Sequence, residues 1–362
     1  MNILFVYQAP ISFAMRDLEI LKSVHCVREF RFRGLRSVPL LWKEVRLCDA
    51  TFSWFGKLNA FFAVLFSRIM GKRSVVVAGG DDATKYTVDG KPYGLFASPV
   101  KKHFAYFIFN NADLVLPVSK FTMNELLLYT RIDPDKAKLS YNAFDPDVFR
   151  KDPGVKKDER SITTVALIGS DSYARKGLRL FVDTARLLPD YRFTVVGSFE
   201  DECADHLKNG APENVVFPGG LYGSDLVTAL SKASVYVQAS EWESFGCSLA
   251  EAMLCECVPV VSDRTAIPEV VGECGFYVKD LQPEELAQKI VEASQNLQVG
   301  SLARKRIIDN FSLEKRKAEL LEAMGSLSCV QHKHRLHFRP GTWVTLFYLI
   351  TLFFLKSSVP IG

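Results

Sequence analysis

The chain has 362 residues, 48% of them hydrophobic, and 45 basic against 41 acidic side chains give a formal charge of +4. That length and apolar content allow two domains of ordinary size, each with its own core. The near balance of charge argues against a nucleic-acid binder, and eight cysteines without C-x-x-C pairing or metal-ligand spacing point to a reducing, cytoplasmic setting.

Residues 1–8 lack the basic start and cleavage site of a secretory signal and read instead as a first buried strand. A helix is expected over residues 15–24, then a strand over 27–32 whose alternating arginines place it near a sheet edge. A third strand over 49–55 and an apolar helix over 59–69, ended by Gly71, follow. Residues 74–78 form the continuous apolar run of a strand buried on both faces of a parallel sheet. This run leads into Gly79-Gly80-Asp81-Asp82, where glycines let the backbone turn and aspartates offer acceptors to hydroxyl groups; a plain strand-to-loop turn is the simpler alternative. Residues 114–118 read as a strand, Ser119 as the cap of a helix through Leu128, and 138–141 as a last short strand. Arg28, Arg31, Arg33 and Arg36 form a basic cluster, by default a solvated face and otherwise a contact for an anionic membrane.

Charge-rich residues 150–160, with Pro153 and Gly154, serve as a linker, and beyond them the alternation begins afresh. A strand over 162–168 is followed by a loop from Gly169 to Gly177 and a helix over 178–188. Such a loop offers backbone N–H groups and a positive helix end to a phosphate, and Arg175 and Lys176 add full charges. On the residues alone these two are better explained as ordinary surface charges. Strands over 192–196, ending at Gly197, and 214–217 precede a helix over 225–234. Residues 235–271 then run strand, carboxylate-rich turn, helix opening at Phe245-Gly246, and strand. Glu243 and Glu251 stand eight positions apart, which predicts one at the mouth of that helix and one about two turns in, near the same face. No G-x-G-x-x-G follows the first strand of either half, which argues against a nicotinamide-dependent dehydrogenase. Helices are expected over 284–296 and 301–327. The stretch 343–355 is largely apolar but shorter than the ~20 residues a spanning helix needs, so with the basic residues before it a peripheral membrane contact through 332–356 is expected.

Glu243 and Glu251, with Phe245-Gly246 between them, resemble the E-x7-E motif of retaining, nucleotide-sugar-dependent glycosyltransferases of the GT-B type, the group 1 or family 4 enzymes. The order Ser240, Glu243, Phe245-Gly246, Glu251-Ala252, Pro259-Val260, Pro268-Glu269 agrees with that family. The resemblance implies an α/β fold of two Rossmann-like, doubly wound parallel-sheet domains facing a cleft. The first, residues 1–150, would lie on the acceptor side; 151–160 would link it to a donor domain over 161–327, whose last helix crosses back; 328–362 would be a basic and apolar tail. Implied catalytic residues are Glu243, Lys176 and Arg175. Implied donor contacts are Glu251 on the ribose hydroxyls, the backbone at Phe245, Gly246 and Cys247, and Gly169, Ser170 and Gly197. On the acceptor side stand Gly79, Gly80, Asp81 and Asp82, with Tyr93-Gly94 following. Ser170 occupies the place of a usual arginine, so either Arg175 substitutes or the site has lost a cation. Ala143 likewise stands where glycine is usual. The resemblance implies no metal and no cofactor beyond the nucleotide diphosphate sugar itself, with a glycan, lipid-linked or small-molecule acceptor. A sugar-nucleotide epimerase of similar fold and a non-catalytic sugar-nucleotide or glycan binder are the alternatives.

Overall fold

The computed structural model describes residues 1–329, apart from the side chains of residues 171, 203, 204, 328 and 329. The membrane contact expected at 332–356 lies outside the described residues. In chain order the first half comprises β1 (Asn2–Tyr7), α1 (Ser12–Lys22), β2 (Cys26–Arg31), α2 (Val38–Arg46), β3 (Ala50–Trp54), α3 (Leu58–Met70), β4 (Arg73–Ala78), β5 (Tyr86–Val88), β6 (Lys91–Tyr93), α4 (Lys101–Asn111), β7 (Leu114–Pro117) and α5 (Lys120–Tyr129). The second half begins with β8 (Asp158–Val165), α6 (Ser170–Arg175), α7 (Leu178–Ala185), β9 (Arg192–Val196), α8 (Glu202–Asn209), β10 (Val215–Gly219) and α9 (Gly223–Lys232). It continues through β11 (Ala233–Gln238), α10 (Cys247–Leu254), β12 (Val258–Ser262), α11 (Ile267–Val271), β13 (Phe276–Val278), α12 (Pro283–Ser294), α13 (Val299–Asn310) and α14 (Leu313–Cys329).

Two parallel sheets result, one ordered β2-β1-β3-β4-β7 and the other β10-β9-β8-β11-β12-β13. Their strands are apolar on both sides because helices cover both faces. Ile3 and Phe5 of β1 enter one core while Leu4 and Val6 enter another, and Val235 and Tyr236 of β11 divide in the same way. The arginine-bearing β2 sits at the edge, where charged side chains keep access to water. This is the GT-B arrangement of two Rossmann-like domains.

The structure departs from the sequence reading in several places, and the helix expected over 301–327 is divided into α13 and α14. Residues 138–141 form no strand: Val115 and Ala137 make an isolated bridge, and the carbonyls of Ser140 and Tyr141 accept from the Arg316 guanidinium at 2.5 and 3.2 Å. Helix α2 was not anticipated, nor was the β5–β6 hairpin, whose turn places Asp89 and Gly90 at φ of 48° and 70°. Paired positive φ values at Asp-Gly suit the tightest hairpin turn. The presumed loop of residues 169–177 is mostly the short helix α6.

Two buried or half-buried charges hold the halves together. Glu269, in α11, caps α5 of the first half, accepting from the N–H groups of Lys120 and Phe121 at 2.8 and 2.7 Å and from the Tyr141 hydroxyl at 3.2 Å. Helix α14 returns to the first half, where Arg316 meets Asp17 of α1 in a bidentate pair at 2.9 and 2.6 Å. Asp17 also accepts from the indole N–H of Trp54 at 3.0 Å.

Candidate active site

Strand β11 ends in the buried amide of Gln238, and at that carboxyl end the site is built. Gln238, Ser240 and Lys176 all direct donors at one oxygen of Glu243: Gln238 Nε2 lies 2.6 Å from Oε1, Ser240 Oγ 3.1 Å, and Lys176 Nζ makes a close ion pair with the same atom. Burial alone would raise the Glu243 carboxyl. The charges of Lys176 and Arg175 and the hydrogen bonds from Lys176 and Ser240 outweigh it, so the carboxyl titrates below its ordinary range. The group is therefore an anchored carboxylate at neutral pH.

Two backbone features hold Lys176 and Glu243 in register. Gly177 has φ of +68°, and a Cβ there would collide with the carbonyl of Ala239, so only glycine lets the α6–α7 turn close on the end of β11. Thr265 has φ of +55°, uncommon for a β-branched residue, and its hydroxyl accepts from the Glu243 N–H at 3.0 Å. The turn is tied further by Glu241 N–H to the Arg175 carbonyl at 2.8 Å.

Residues of the first half reach the same turn. The Ser244 hydroxyl donates to the Gly79 carbonyl at 2.8 Å, and the Tyr93 ring lies 4.9 Å from that of Trp242. Arg175 places its guanidinium carbon 5.2 Å from the Tyr93 ring centroid, within cation–π range. The buried Trp242 indole N–H and the Asn142 side-chain oxygen have no hydrogen-bond partner among the described residues. Unpaired buried polar atoms are rare and call for an explanation, of which a bound hydroxyl is one.

Glu251 is placed otherwise than its spacing predicts. Helix α10 starts at Cys247, behind Gly246 at φ of +97°, so Glu243 precedes the helix and Glu251 lies about one turn inside it. The two carboxylates have different partners: Glu251 faces Arg16 of α1 at 3.8 Å. Burial pushes its carboxyl up to about 7, with Arg16 pulling in the opposite direction. Cys247 is half-buried; desolvation pushes its thiol up to about 12, and its sulfur accepts from the Asn142 amide at 3.4 Å. Phe245 is core: its ring packs against those of Phe144, Phe311 and Tyr141 at 5.7, 5.3 and 6.2 Å, which leaves only its backbone to a ligand.

The remaining expected residues divide. Gly169 and Ser170 begin α6, at the opposite end of that helix from Lys176, and the Ser170 N–H is taken by the Asp201 carboxylate at 2.8 Å. Gly197 leaves no room for a side chain because the carbonyl of Ala166 lies against its α-carbon. On the acceptor side, Asp81 pairs with Lys57 at 2.8 Å. Asp82 is turned inward: it is fully buried and its oxygens accept from the N–H groups of Gly56 and Gly80 at 2.5 and 2.7 Å, so it staples the Gly79-Gly80 loop. Gln238, Thr265, Trp242 and Arg16 escaped the sequence reading. A glutamine ending an otherwise apolar buried strand was a signal for the first; the contacts of the others, made across 22 to 235 positions, leave no local trace.

Residues 162–296 match the family described as Glycosyl transferases group 1. Among curated relatives, the O-antigen chain mannosyltransferase B of Escherichia coli is 25% identical over 201 residues, 52% of this chain and 53% of that protein. The N-acetylgalactosamine-N,N'-diacetylbacillosaminyl-diphospho-undecaprenol 4-alpha-N-acetylgalactosaminyltransferase of Campylobacter jejuni is 25% identical over 253 residues, 66% and 65% of the two chains. The chain thus spans about half to two thirds of the length of these curated relatives. Among solved structures, HepE of Anabaena in complex with UDP and glucose superposes with a TM-score of 0.74 at 18% identity, covering 91% of this chain and all of that one. Sucrose-phosphate synthase of Thermosynechococcus elongatus gives 0.76 at 15% identity, covering 91% and 100%. At such identities the structural likeness establishes the fold.

Proposed function

We propose that the chain is a retaining glycosyltransferase that moves a sugar from a nucleotide diphosphate sugar to a hydroxyl of a glycan, lipid-linked or small-molecule acceptor. The observation that carries this reading is the meeting of Lys176 with Glu243 at the end of β11, under Tyr93 and Gly79 of the facing half. Nucleotide sugars are consistent with HepE, which was crystallised with UDP and glucose, and lipid-linked acceptors with the Campylobacter enzyme's diphospho-undecaprenol substrate.

In this reading, bond breaking leaves growing negative charge on the departing diphosphate while the anomeric carbon becomes cationic. Lys176 and Arg175 supply the preorganised positive charge there, taking a role that other transferases give to a metal. Glu243, held ionised by its three donors, accepts hydrogen bonds from hydroxyls of the transferred sugar and keeps Lys176 aimed. The backbone N–H groups at Gly246 and Cys247 face sugar or phosphate oxygens. Glu251 accepts from the ribose hydroxyls. Retention then follows from attack on the face the diphosphate leaves, with a donor phosphate oxygen taking the acceptor's proton.

The test is release of nucleoside diphosphate from UDP-glucose, UDP-N-acetylglucosamine and GDP-mannose, with acceptor panels, by the unaltered chain and by Lys176→Met and Glu243→Gln. A drop of about a hundredfold or more in kcat in each variant, with folding preserved by circular dichroism, is expected. Unaltered rates in both variants, or donor binding without turnover on any acceptor, would sink the proposal; the latter would indicate a non-catalytic binder.

A further inference from the structure

Arg16 stands apart from the residues discussed so far: it belongs to α1 of the first half, yet it addresses a carboxylate of the second. Its Nη2 lies 3.8 Å from Glu251 Oε1, its Nη1 donates to the Ala143 carbonyl at 2.9 Å, and its guanidinium carbon sits 5.3 Å from the Phe144 ring centroid. Ala143 and Phe144 lie in the segment that connects the two sheets. The side chain is thus fixed at three points and only one-fifth exposed.

Among the described residues, Arg16 is the one cation that makes an ion pair with Glu251. The other titratable groups facing this carboxylate carry no charge at neutral pH. Tyr236 of β11 is raised well above its ordinary value by burial, and Cys247 and Cys255, flanking Glu251 along and just beyond α10, are each pushed up to about 12. Arg304 of α13 turns instead to the carbonyls of Phe149, Pro146 and Leu254. A carboxylate in so dry a place needs a fixed counter-charge to remain an acceptor for two hydroxyls at once.

We infer that Arg16 is a positioning residue for donor binding, orienting Glu251 and favouring its ionised form as an acceptor for the cis-diol of the nucleotide ribose from across the cleft. The inference rests on the assignment of Glu251 to the ribose. Arg16 does not touch the reacting atoms; its effect is confined to the nucleoside half of the donor.

The discriminating measurement is the affinity ratio of a ribonucleoside diphosphate to its 2′-deoxy form, read by calorimetry from pH 6 to pH 9. UDP with 2′-deoxy-UDP and GDP with 2′-deoxy-GDP are the two probe pairs. In the unaltered chain the ribo form is expected to bind about tenfold more tightly at neutral pH and above, because charge-assisted hydrogen bonds exceed neutral ones. In the unaltered chain the ratio declines below about pH 7, whereas in Arg16→Met it stays near one up to about pH 8 and recovers only towards pH 9, its midpoint moved up by about one pH unit or more. Arg16→Lys keeps the unaltered profile, and Glu251→Gln gives a low ratio at every pH with or without Arg16→Met. A purely structural role for Arg16 would lower binding of both forms together, without pH-dependent recovery of the ratio. If the unaltered chain shows a ribose preference that Arg16→Met leaves intact at pH 7 to 8, the inference is wrong and the ribose assignment survives. Absence of ribose preference in the unaltered chain, or of binding by both ribo forms, refutes the assignment itself and the inference with it.

Discussion

Replacing Arg316 by methionine should be the most damaging single change outside the site. The side chain is fully buried, and in one plane it satisfies both oxygens of Asp17, the Ser140 hydroxyl and carbonyl, and the Tyr141 carbonyl. Methionine keeps most of the volume and removes every donor. Asp17 is then left buried with the Trp54 indole N–H, and two carbonyls lose a partner that no water reaches without opening the α1–α14 contact. Breaking a buried pair from one side costs about 3–5 kcal/mol. The carbonyls do not add their full values, because the same opening of structure relieves all of them. A loss of about 4 kcal/mol is therefore expected, against a total stability for typical domains of about 5–15 kcal/mol. The double variant Asp17→Leu with Arg316→Met should lose less than Arg316→Met alone, since no uncompensated charge remains. Leu320, Ala323 and Met324 still bury the apolar face of α14. Urea unfolding followed by circular dichroism gives the total, and hydrogen exchange at the amides of α1 and α14 assigns it to this contact. A loss below about 1 kcal/mol for Arg316→Met, or a double variant as unstable as the sum of the singles, would refute the reasoning.

Gly177→Ala should lose at least about 1–2 kcal/mol from the left-handed backbone alone, more from the collision with Ala239, and should lower donor turnover by displacing Lys176; thermal unfolding and kcat measure the two effects. Gly90→Ala, at a similar φ of +70° but with open space around its α-carbon, is the control and should show only the conformational part. Asp82 is buried and its carboxyl is pushed up to about 6, by desolvation first and by the charge of Asp81 second. Its proton is held more tightly folded than unfolded, so its contribution is full below pH 4 and is lost as pH rises from about 4 to 6, by about 3 kcal/mol. Asp82→Asn should abolish that component, seen as a difference between the two pH–stability curves; parallel curves between pH 4 and 6 would refute the assignment.

Much of the fold was legible because its strands are buried on both faces. Runs such as those in β4 and β11 permit no other placement than the interior of a parallel sheet, and Gly71, Ser119 and the arginines of β2 mark ends and edges by ordinary local chemistry. What could not be read was set by distant partners. Residues 138–141 have strand character, but Arg316, 176 positions away, claims their carbonyls. Asp82 looked like a surface acceptor because a sequence shows no burial; only the backbone of Gly56 reveals it as a staple. The same limit holds at the site. The family resemblance, not spacing alone, brought Glu243 and Lys176 forward as candidates, while the depth of Glu251 in its helix and its counter-charge came from the fold.

The unequal treatment of the two glutamates has a physical consequence. Glu243 draws Lys176, Gln238 and Ser240 from its own half, so its charge state does not depend on where the other half stands. Glu251 takes its counter-charge from α1, across the cleft and beside the segment that joins the halves. Any separation that draws Arg16 away removes that counter-charge and the orientation it imposes on the Glu251 carboxylate. On the proposed assignment, the diphosphate end would be received by a half that is preassembled, whereas a firm hold on the nucleoside end would require both halves in place. Binding energy at the nucleoside would then be realised only in the closed arrangement, the one in which Tyr93 and Gly79 also lie over the turn bearing Glu243.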